Sequence, residues 1–176
     1  MFLLDSNDDR LVKSISSALQ QKNFFHTLDL DKKHFFSLNF NIIKNEMEIG
    51  SSHKKKKISL PTSINTIIST INNLFIDYEI EVNGAKFFPL RQSLEFKNKQ
   101  TYLGNIHFII FSNLLLNHDT GSNKVELYKS IWPLDKEYQV NKLDTHLTNL
   151  KKHLKEKLNF NFIFSTNLGS IYFSIN

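Results

Sequence analysis

The sequence contains no cysteine, no long apolar run and only two arginines, Arg10 and Arg91. Without cysteine, disulfide bonds and thiolate metal sites are excluded. No apolar run approaches the roughly 20 residues of a membrane-spanning helix, and the first residues, MFLLDSNDDR, lack the basic start of a signal peptide. We therefore expect a cytoplasmic protein. Lysine binds phosphate as a point charge and lacks the bidentate fork with which arginine recognises guanine. The scarcity of arginine therefore argues against specific recognition of guanine.

The chain has 176 residues, enough for one ordinary domain or two small ones. Apolar residues make up 40% of it, which is sufficient for folded cores and too high for a disordered chain. The net charge of +5 and the pI of about 9.3 mildly favour a polyanionic partner. The composition shifts near residues 76–78, and we place a boundary there between domains 1–76 and 77–176.

The segment 1–76 alternates short strand-like runs with two helical patterns. Phe2–Leu4 predicts a buried strand, and the acidic residues within 5–9 favour the start of a helix, because negative charge complements the helix dipole there. A second helix is predicted after Pro61, where apolar residues recur at helical spacing. Further strand-like runs lie at Phe24–Leu30, Phe35–Ile43 and Ile58–Leu60.

The segment 77–176 shows a regular succession of hairpins and helices. Tyr78–Val82 and Ala85–Phe88 flank Asn83-Gly84, a pair typical of a tight β-hairpin turn. A second pairing is predicted between residues 94–96 and 100–103. Helices are predicted at Asn105–Asn117, Val125–Trp132 and Val140–Leu158, and a last hairpin joins Phe160–Phe164 to Ile171–Ile175. This order predicts an α+β winged helix-turn-helix with three helices, N-terminal strands and a C-terminal hairpin, whose third helix enters a DNA major groove.

The predicted helix Val140–Leu158 combines a leucine stripe with a polar remainder. Its leucines recur every three or four residues, the spacing of one buried side. The other positions carry lysine, threonine, histidine and asparagine, opposed only by Asp144 and Glu156. A solvated amphipathic helix over a core explains both the leucines and the polar residues, and a helix that contacts DNA is the alternative.

Three stretches of the C-terminal segment share the motifs of one family. Glu126–Trp132 ends in an apolar residue and tryptophan, and Asn141–Leu154 contains Asp-x-His-apolar-x-x-Leu-basic-basic in register. Thr166–Tyr172 keeps the threonine, first glycine and tyrosine of a wing hairpin. In these motifs residues 78–176 resemble the DNA-binding domain of OmpR/PhoB-type response regulators. The threonine and glutamate that cap the family's first helix are Gly104 and His107 here, so the capping box is lost.

The resemblance implies a DNA-binding transcriptional regulator that contacts double-stranded DNA through a defined set of side chains. They are Lys142 and His146 near phosphates, Thr145, Thr148 and Asn149 near base edges, Lys151 where the family has arginine, and Thr166 and Tyr172 on the wing. Threonine and asparagine suit thymine methyl contact and adenine pairing, so we expect A·T-leaning specificity with salt-sensitive affinity. Tyr172 has a second interpretation, as a plug at the base of the hairpin.

The N-terminal segment resembles a second family only in fragments. Phe2–Phe24 and Ile58–Phe75 are similar to the first and last strand–helix pairs of a receiver domain. This implies a truncated, degenerate receiver-like domain of small α/β type over residues 1–76. The family's acidic pair is Asp5-Ser6 here, and the run 40–45 has no aspartate. We therefore expect no phosphoacceptor and no control by phosphorylation; abundance, homodimerisation or a regulatory protein partner would set the activity.

A second interpretation of the C-terminal segment is a winged-helix module that binds protein and has lost specific DNA binding. The family's arginines are absent from Asn141, Thr148, Asn149 and Leu168, which favours this interpretation. A positive surface along Lys142, His146, Lys151 and Lys152 would favour DNA. Neutralisation of that surface by Glu126, Asp135 or Glu137 would favour a protein partner.

The sequence predicts no enzyme. It contains no phosphate-binding loop, dinucleotide-binding glycine motif or nucleophile elbow, and its seven histidines lack the spacing of a metal site. We therefore expect no catalytic residue, metal or cofactor. The lysine run Lys54–Lys57 is expected to be solvated, with weak attraction to phosphate or anionic lipid as the alternative.

Overall fold

A computed structural model describes residues 1–6, 8–21, 26–27, 31–41 and 43–175. The chain divides into two compact units, Met1–Tyr78 and Glu79–Asn176, which are described separately below as the N-terminal and C-terminal units. Within the described ranges, none of the helices combines the length and the apolar character needed to cross a membrane.

The described residues of the N-terminal unit form a mixed five-stranded sheet and two helices. Its strands are β1 (Phe2–Asp5), β2 (His26–Thr27), β3 (Phe36–Asn41), β4 (Glu46–Gly50) and β5 (Lys55–Ser59), and its helices are α1 (Asp9–Gln21) and α2 (Ile64–Phe75). The spatial order is β2-β1-β3-β4-β5. β1 pairs in parallel with β2 and β3, whereas the β3–β4 and β4–β5 pairs are antiparallel. The predicted strands Phe24–Leu30 and Phe35–Ile43 lie partly outside the described residues.

Local capping and apolar packing account for the two helices of this unit. The Asp8 carboxylate accepts hydrogen bonds from the backbone N–H groups of Arg10 and Leu11, and the Ser63 hydroxyl accepts one from Thr66 at 3.0 Å. Such caps satisfy N–H groups that a helix start leaves unpaired. The apolar sides of the helices are buried with the sheet in a core that includes Phe2, Ile15, Leu19, Phe36, Leu38, Met47, Ile49, Ile67, Ile71 and Phe75.

Most of the lysine run Lys54–Lys57 lies on β5, an edge strand of this sheet. Lys55 and Lys57 form ion pairs with Glu48 and Glu46 on β4, at 3.0 and 3.5 Å. Charged side chains on an edge strand oppose pairing with the same strand of a second copy of the chain, because the lysines of the two copies would repel each other. This position gives the run a structural explanation.

The C-terminal unit contains two antiparallel sheets and three helices. The first sheet has the order β6 (Ile80–Val82), β7 (Ala85–Phe88), β8 (Ser93–Phe96) and β9 (Lys99–Tyr102). The helices are α3 (Asn105–Leu116), α4 (Lys124–Ile131) and α5 (Val140–Leu158). The second sheet consists of β10 (Ser122–Asn123), β12 (Ser170–Phe173) and β11 (Phe164–Asn167), in that spatial order.

Several local predictions for this unit are confirmed. Asn83-Gly84 forms the turn between β6 and β7, and both residues have the positive φ that such a turn requires. α5 has the predicted bounds, and Asn159 ends it in the left-handed conformation. Gly104, the N-cap residue of α3, provides no side-chain cap, as the loss of the capping box predicted.

The first strand of the predicted last hairpin, Phe160–Phe164, is placed several residues too early, whereas its second strand, Ile171–Ile175, overlaps β12. β11 begins at Phe164, and the tight turn is Leu168-Gly169. Phe160 and Phe162 alternate like strand residues, but they are buried in the core, where Phe162 packs 5.0 Å from the Phe173 ring centre. The alternation of Phe160 and Phe162 therefore led to a predicted strand that begins before β11 does.

The predicted fold class, a three-helix winged helix-turn-helix preceded by a small receiver-like α/β domain, is wrong. Strands outnumber helices within the described residues, with twelve strands in three sheets beside five helices. A receiver-like domain needs parallel strands joined by crossover helices, whereas short turns join β3, β4 and β5 in antiparallel pairs. In the C-terminal unit the prediction omitted β10, which makes the last hairpin part of a three-stranded sheet.

Candidate nucleic-acid interface

Helix α5 buries one side and exposes the opposite side. Leu143, Leu147, Leu150, Leu154 and Leu158 are all buried. Thr145, Thr148, Asn149 and Lys152 are all exposed, and we call these four residues the outer row of α5. Their spacing of three, four and seven residues places them on one side of the helix, away from the leucines. The buried stripe therefore fixes which side chains α5 can present to a partner.

The two threonines of the outer row bond to their own helix. The Thr145 hydroxyl donates to the Asn141 carbonyl at 2.7 Å, and the Thr148 hydroxyl donates to the Asp144 carbonyl at 2.9 Å. Each hydroxyl has one hydrogen, which these bonds use. What the threonines can still offer a partner is an acceptor oxygen and a methyl group. Within the outer row, Asn149 and Lys152 carry the remaining donor groups.

Lys142, predicted to lie near phosphate, is paired within the protein. Its Nζ atom lies 2.7 Å from Oδ2 of Asp135 and 4.3 Å from the centre of the Trp132 ring. The Asp135 carboxylate raises the pKa of Lys142, and the Lys142 ammonium in turn holds the pKa of Asp135 below its usual range. Both groups are therefore charged at neutral pH, and Asp135 offsets the positive charge of Lys142.

Asp135 has a second partner in the same cluster. The hydroxyl of Tyr128 donates a hydrogen bond to Asp135, and Tyr128 is buried. Burial raises the pKa of Tyr128, and the bond to Asp135 adds to that effect. The Tyr128 ring packs against Trp132 with 4.7 Å between ring centres. Trp132 therefore lies in a packed cluster with Tyr128, Asp135 and Lys142, and we call these four residues the Lys142 cluster.

His146, the other residue predicted to lie near phosphate, is half-buried beside two helices. Its ring centre lies 5.4 Å from that of Trp132 and 6.0 Å from that of His107 on α3. His153 lies 6.2 Å from His107, and its Nε2 atom is 2.9 Å from the Thr101 hydroxyl on β9. Burial lowers the pKa of His107, and repulsion from the other two histidines lowers it further. His146 thus contributes mainly to the packing of α3 with α5.

The flank of α5 nearer the hairpin holds a second ion pair. The Nζ atom of Lys124, at the start of α4, lies 2.7 Å from Oδ1 of Asp144. Lys151 is exposed, and its Nζ atom lies 6.0 Å from the centre of the Phe164 ring on β11. The two lysines of the predicted contact set therefore have different surroundings. Asp135 offsets the charge of Lys142, whereas Lys151 is exposed beside the ring of Phe164.

The lysines of α5 are concentrated in its second half. Four of its five lysines lie between residues 151 and 157, and Glu156 is the acidic residue in that stretch. The Nζ atom of Lys152 lies 3.8 Å from Oε1 of Glu156, and both side chains are largely exposed, so this ion pair is weak. The positive charge of the helix therefore lies toward its C-terminal end, where it also complements the helix dipole.

The two predicted wing contacts lie on opposite faces of the hairpin. Thr166 is directly opposite Ile171, and Tyr172 is directly opposite Ser165. Residues directly opposite share a face, and neighbours along a strand alternate, so Thr166 and Tyr172 point to different sides. Tyr172 packs against Gly121, which supports its interpretation as a plug. Leu168 at the turn is 98% exposed.

The structure therefore brings together some of the predicted residues and separates others. Thr145, Thr148 and Asn149 share the outer row with Lys152, which sequence reasoning left out of the contact set. The role of Asp135 as the partner of Lys142 was foreseen only as a general neutralisation of this surface. Among the described residues, no group of three or more histidines and carboxylates is arranged to hold a metal ion.

No family model matches the sequence, and no curated protein matches it either. One solved structure to which the chain is similar is the DNA-binding domain of CadC from E. coli, with 12% identity and a TM-score of 0.46. The alignment covers 55% of this chain and 91% of that chain. A TM-score of this size does not establish a shared fold.

Proposed function

We propose that the C-terminal unit binds double-stranded DNA and that the protein regulates transcription. The observation that carries the proposal is the outer row of α5. It presents short polar side chains and a lysine on the exposed side of a helix whose other side is fully buried. An α-helix fits the major groove of B-DNA, where such side chains reach base edges.

The chemistry of the row favours A·T base pairs. Asn149 carries an amide that can donate to and accept from adenine, and the threonine methyl groups can contact the methyl group of thymine. Guanine offers two acceptors, which demand donors, but the hydroxyl hydrogens of Thr145 and Thr148 are already used within the helix. Lys151 and Lys152 would bind phosphates, which makes the affinity depend strongly on salt.

We further propose that phosphorylation of this chain does not set its activity. Asp5 is followed by serine at the end of β1, and β3 ends at an asparagine, Asn41. These strand ends therefore supply one carboxylate, Asp5, and lack both the second acidic residue and the aspartate that a magnesium-dependent phosphoacceptor site needs. Abundance, self-association or a protein partner would set the activity instead.

The second candidate function is a protein-interaction module. Two ion pairs favour it, because Asp135 offsets Lys142 and Asp144 offsets Lys124, both at 2.7 Å. The first pair offsets Lys142, the lysine in the first half of α5, the second offsets Lys124 at the start of α4, and α5 contains no arginine. A surface of this kind suits a partner that does not need to be a polyanion.

The test is fluorescence anisotropy of the full chain with labelled A·T-rich and G·C-rich duplexes over a salt titration. The variant Lys151→Ala/Lys152→Ala should weaken binding and reduce the slope of log affinity against log salt by about 1.8, because about 0.9 is expected for each phosphate contact. The matched control is Lys54→Ala/Lys56→Ala, which removes the same charge from the N-terminal unit. Binding that is absent at low salt, or equally affected by both variants, would favour the protein-interaction module.

A further inference from the structure

We propose that the Lys142 cluster is a phosphate-binding site in which the Asp135 carboxylate occupies the position of the anion. A phosphate of the DNA backbone would bind there by displacing Asp135 from Lys142. This inference rests on the proposed function, because it assigns a particular phosphate contact to the DNA-binding surface of α5. It also explains how a paired lysine can contribute to DNA binding.

The groups around the Asp135 carboxylate are those that bind a phosphate oxygen. The Lys142 ammonium lies 2.7 Å away, and the Tyr128 hydroxyl donates a hydrogen bond to the same oxygen, Oδ2. An ammonium and a phenol are both donors, and phosphate and carboxylate oxygens are both anionic acceptors. Donors that surround the carboxylate oxygen of Asp135 can therefore also bind a phosphate oxygen.

The aromatic rings of the cluster hold the ammonium in place. Lys142 Nζ lies 4.3 Å from the centre of the Trp132 ring and 5.7 Å from that of Tyr128. Cation–π attraction at these distances keeps the ammonium in position after its carboxylate partner leaves. The Tyr128 ring is itself buried, so its hydroxyl has a fixed position. The donors are therefore organised independently of Asp135.

The site is open to a ligand and adjacent to the outer row. The side chains of Lys142 and Asp135 are 33% and 29% exposed, so the ion pair is reached by solvent. Lys142 precedes Thr145 of the outer row by three residues, which places the two side chains next to each other along the helix surface. A duplex held by the outer row would thus bring a backbone phosphate close to the ion pair.

Asp135 lies in the segment between α4 and α5, which belongs to neither helix. Its displacement requires the loss of a surface ion pair and one hydrogen bond, both of which the phosphate replaces. Exposed ion pairs of this kind are weak. Asp135 therefore lowers the DNA affinity by competition without closing the site.

The experiment compares three variants of the full chain by fluorescence anisotropy with a labelled A·T-rich duplex. Asp135→Asn removes the competing charge but keeps an acceptor for the Tyr128 hydroxyl. Glu137→Gln is the matched control, because it makes the same change of charge two residues away and leaves the Asp135–Lys142 pair in place. Asp135→Asn/Lys142→Gln tests whether the effect of Asp135 acts through Lys142.

We expect Asp135→Asn to bind about two- to fivefold more tightly than Glu137→Gln at low salt, as the loss of one exposed ion pair implies. The gain should disappear when Lys142 is also replaced. Equal affinities of Asp135→Asn and Glu137→Gln, or a gain that persists without Lys142, would overturn the inference while leaving DNA binding intact. Absence of binding by the unchanged protein and by all variants would instead overturn the proposed function, and the phosphate site with it.

Discussion

The ring of Tyr172 lies against Gly121 so closely that a Cβ atom at position 121 would come within 2.6 Å of its Cε1 atom. Gly121 also has a φ of +78°, a value that residues with a side chain rarely adopt. The contact joins the hairpin strand β12 to the turn that follows α3. The base of the hairpin therefore depends on the absence of a side chain at Gly121.

Gly121→Ala should destabilise the protein more than Gly169→Ala does. Both glycines have nearly the same φ, +78° and +79°, so both alanines meet a similar backbone strain of about 1–2 kcal/mol. Nothing lies within 4 Å of a Cβ atom at Gly169, whereas one at Gly121 meets Tyr172. Urea denaturation of the two variants measures the difference, and equal losses of stability would show that the tyrosine contact contributes nothing.

The stability of the C-terminal unit should fall on acidification through the pKa of His107. Burial and the neighbouring His146 and His153 lower this pKa from its ordinary value of 6.5. Below pH 6.5 the unfolded chain therefore takes up a proton more readily than the folded protein, and stability is lost as the pH falls. The three rings and the Thr101 hydroxyl meet between α3, α5 and β9.

His107→Gln should show a smaller loss of stability than the unchanged protein between pH 7.5 and pH 5.5, measured by urea denaturation. His118→Gln is the matched control, because His118 is exposed in the same unit and lies outside the cluster. If His107→Gln loses as much stability as the other two proteins, His107 does not cause the pH dependence.

The leucine stripe of α5 should carry much of the stability of the C-terminal unit. Leu150 is fully buried, and Leu150→Ala should cost about 2–5 kcal/mol, because the methyl groups lost leave a cavity in the core. Val140 lies on the same helix but is 48% exposed, so Val140→Ala should cost much less. Chemical denaturation of both variants makes the comparison, and a similar cost for the two would contradict the orientation of α5.

Asn149 should carry most of the preference for A·T base pairs. Asn149→Ala should lose about 1–3 kcal/mol of discrimination between A·T-rich and G·C-rich duplexes, the range expected for one bidentate base contact. Thr148→Val is the control, because it removes a hydroxyl whose hydrogen is already bonded to the Asp144 carbonyl and keeps the methyl group. Anisotropy with the two duplexes gives the ratio, and an unchanged ratio in Asn149→Ala would assign the preference elsewhere.

Local sequence patterns predicted the elements whose causes are local. The bounds of α5 followed from leucines at helical spacing, and the β6–β7 hairpin followed from Asn83-Gly84. The strand β4 (Glu46–Gly50) was not predicted, because its apolar alternation is limited to Met47 and Ile49. The short strand β10 also escaped prediction, since two residues carry no periodicity.

The candidate site was predicted as a set of residues but not as an arrangement. The family resemblance assigned Thr145, Thr148 and Asn149 to base contacts, and the structure places them on one side of α5. The pairing of Lys142 with Asp135 depends on the irregular segment between α4 and α5, whose path no local pattern encodes. The approach of His107 to His146 similarly joins residues far apart in the sequence, and only the packing of α3 with α5 creates it.

The most direct test of the DNA-binding role of α5 is a titration of the ¹⁵N-labelled full chain with an A·T-rich duplex, followed by amide chemical shifts. The proposal predicts salt-sensitive shift changes concentrated at residues 141–152 of α5 and around the Leu168-Gly169 turn, with the amides of residues 36–59 little changed. Absence of shift changes at low salt, or changes concentrated on the β5 lysines instead, would contradict the assignment of α5 as the DNA-binding element.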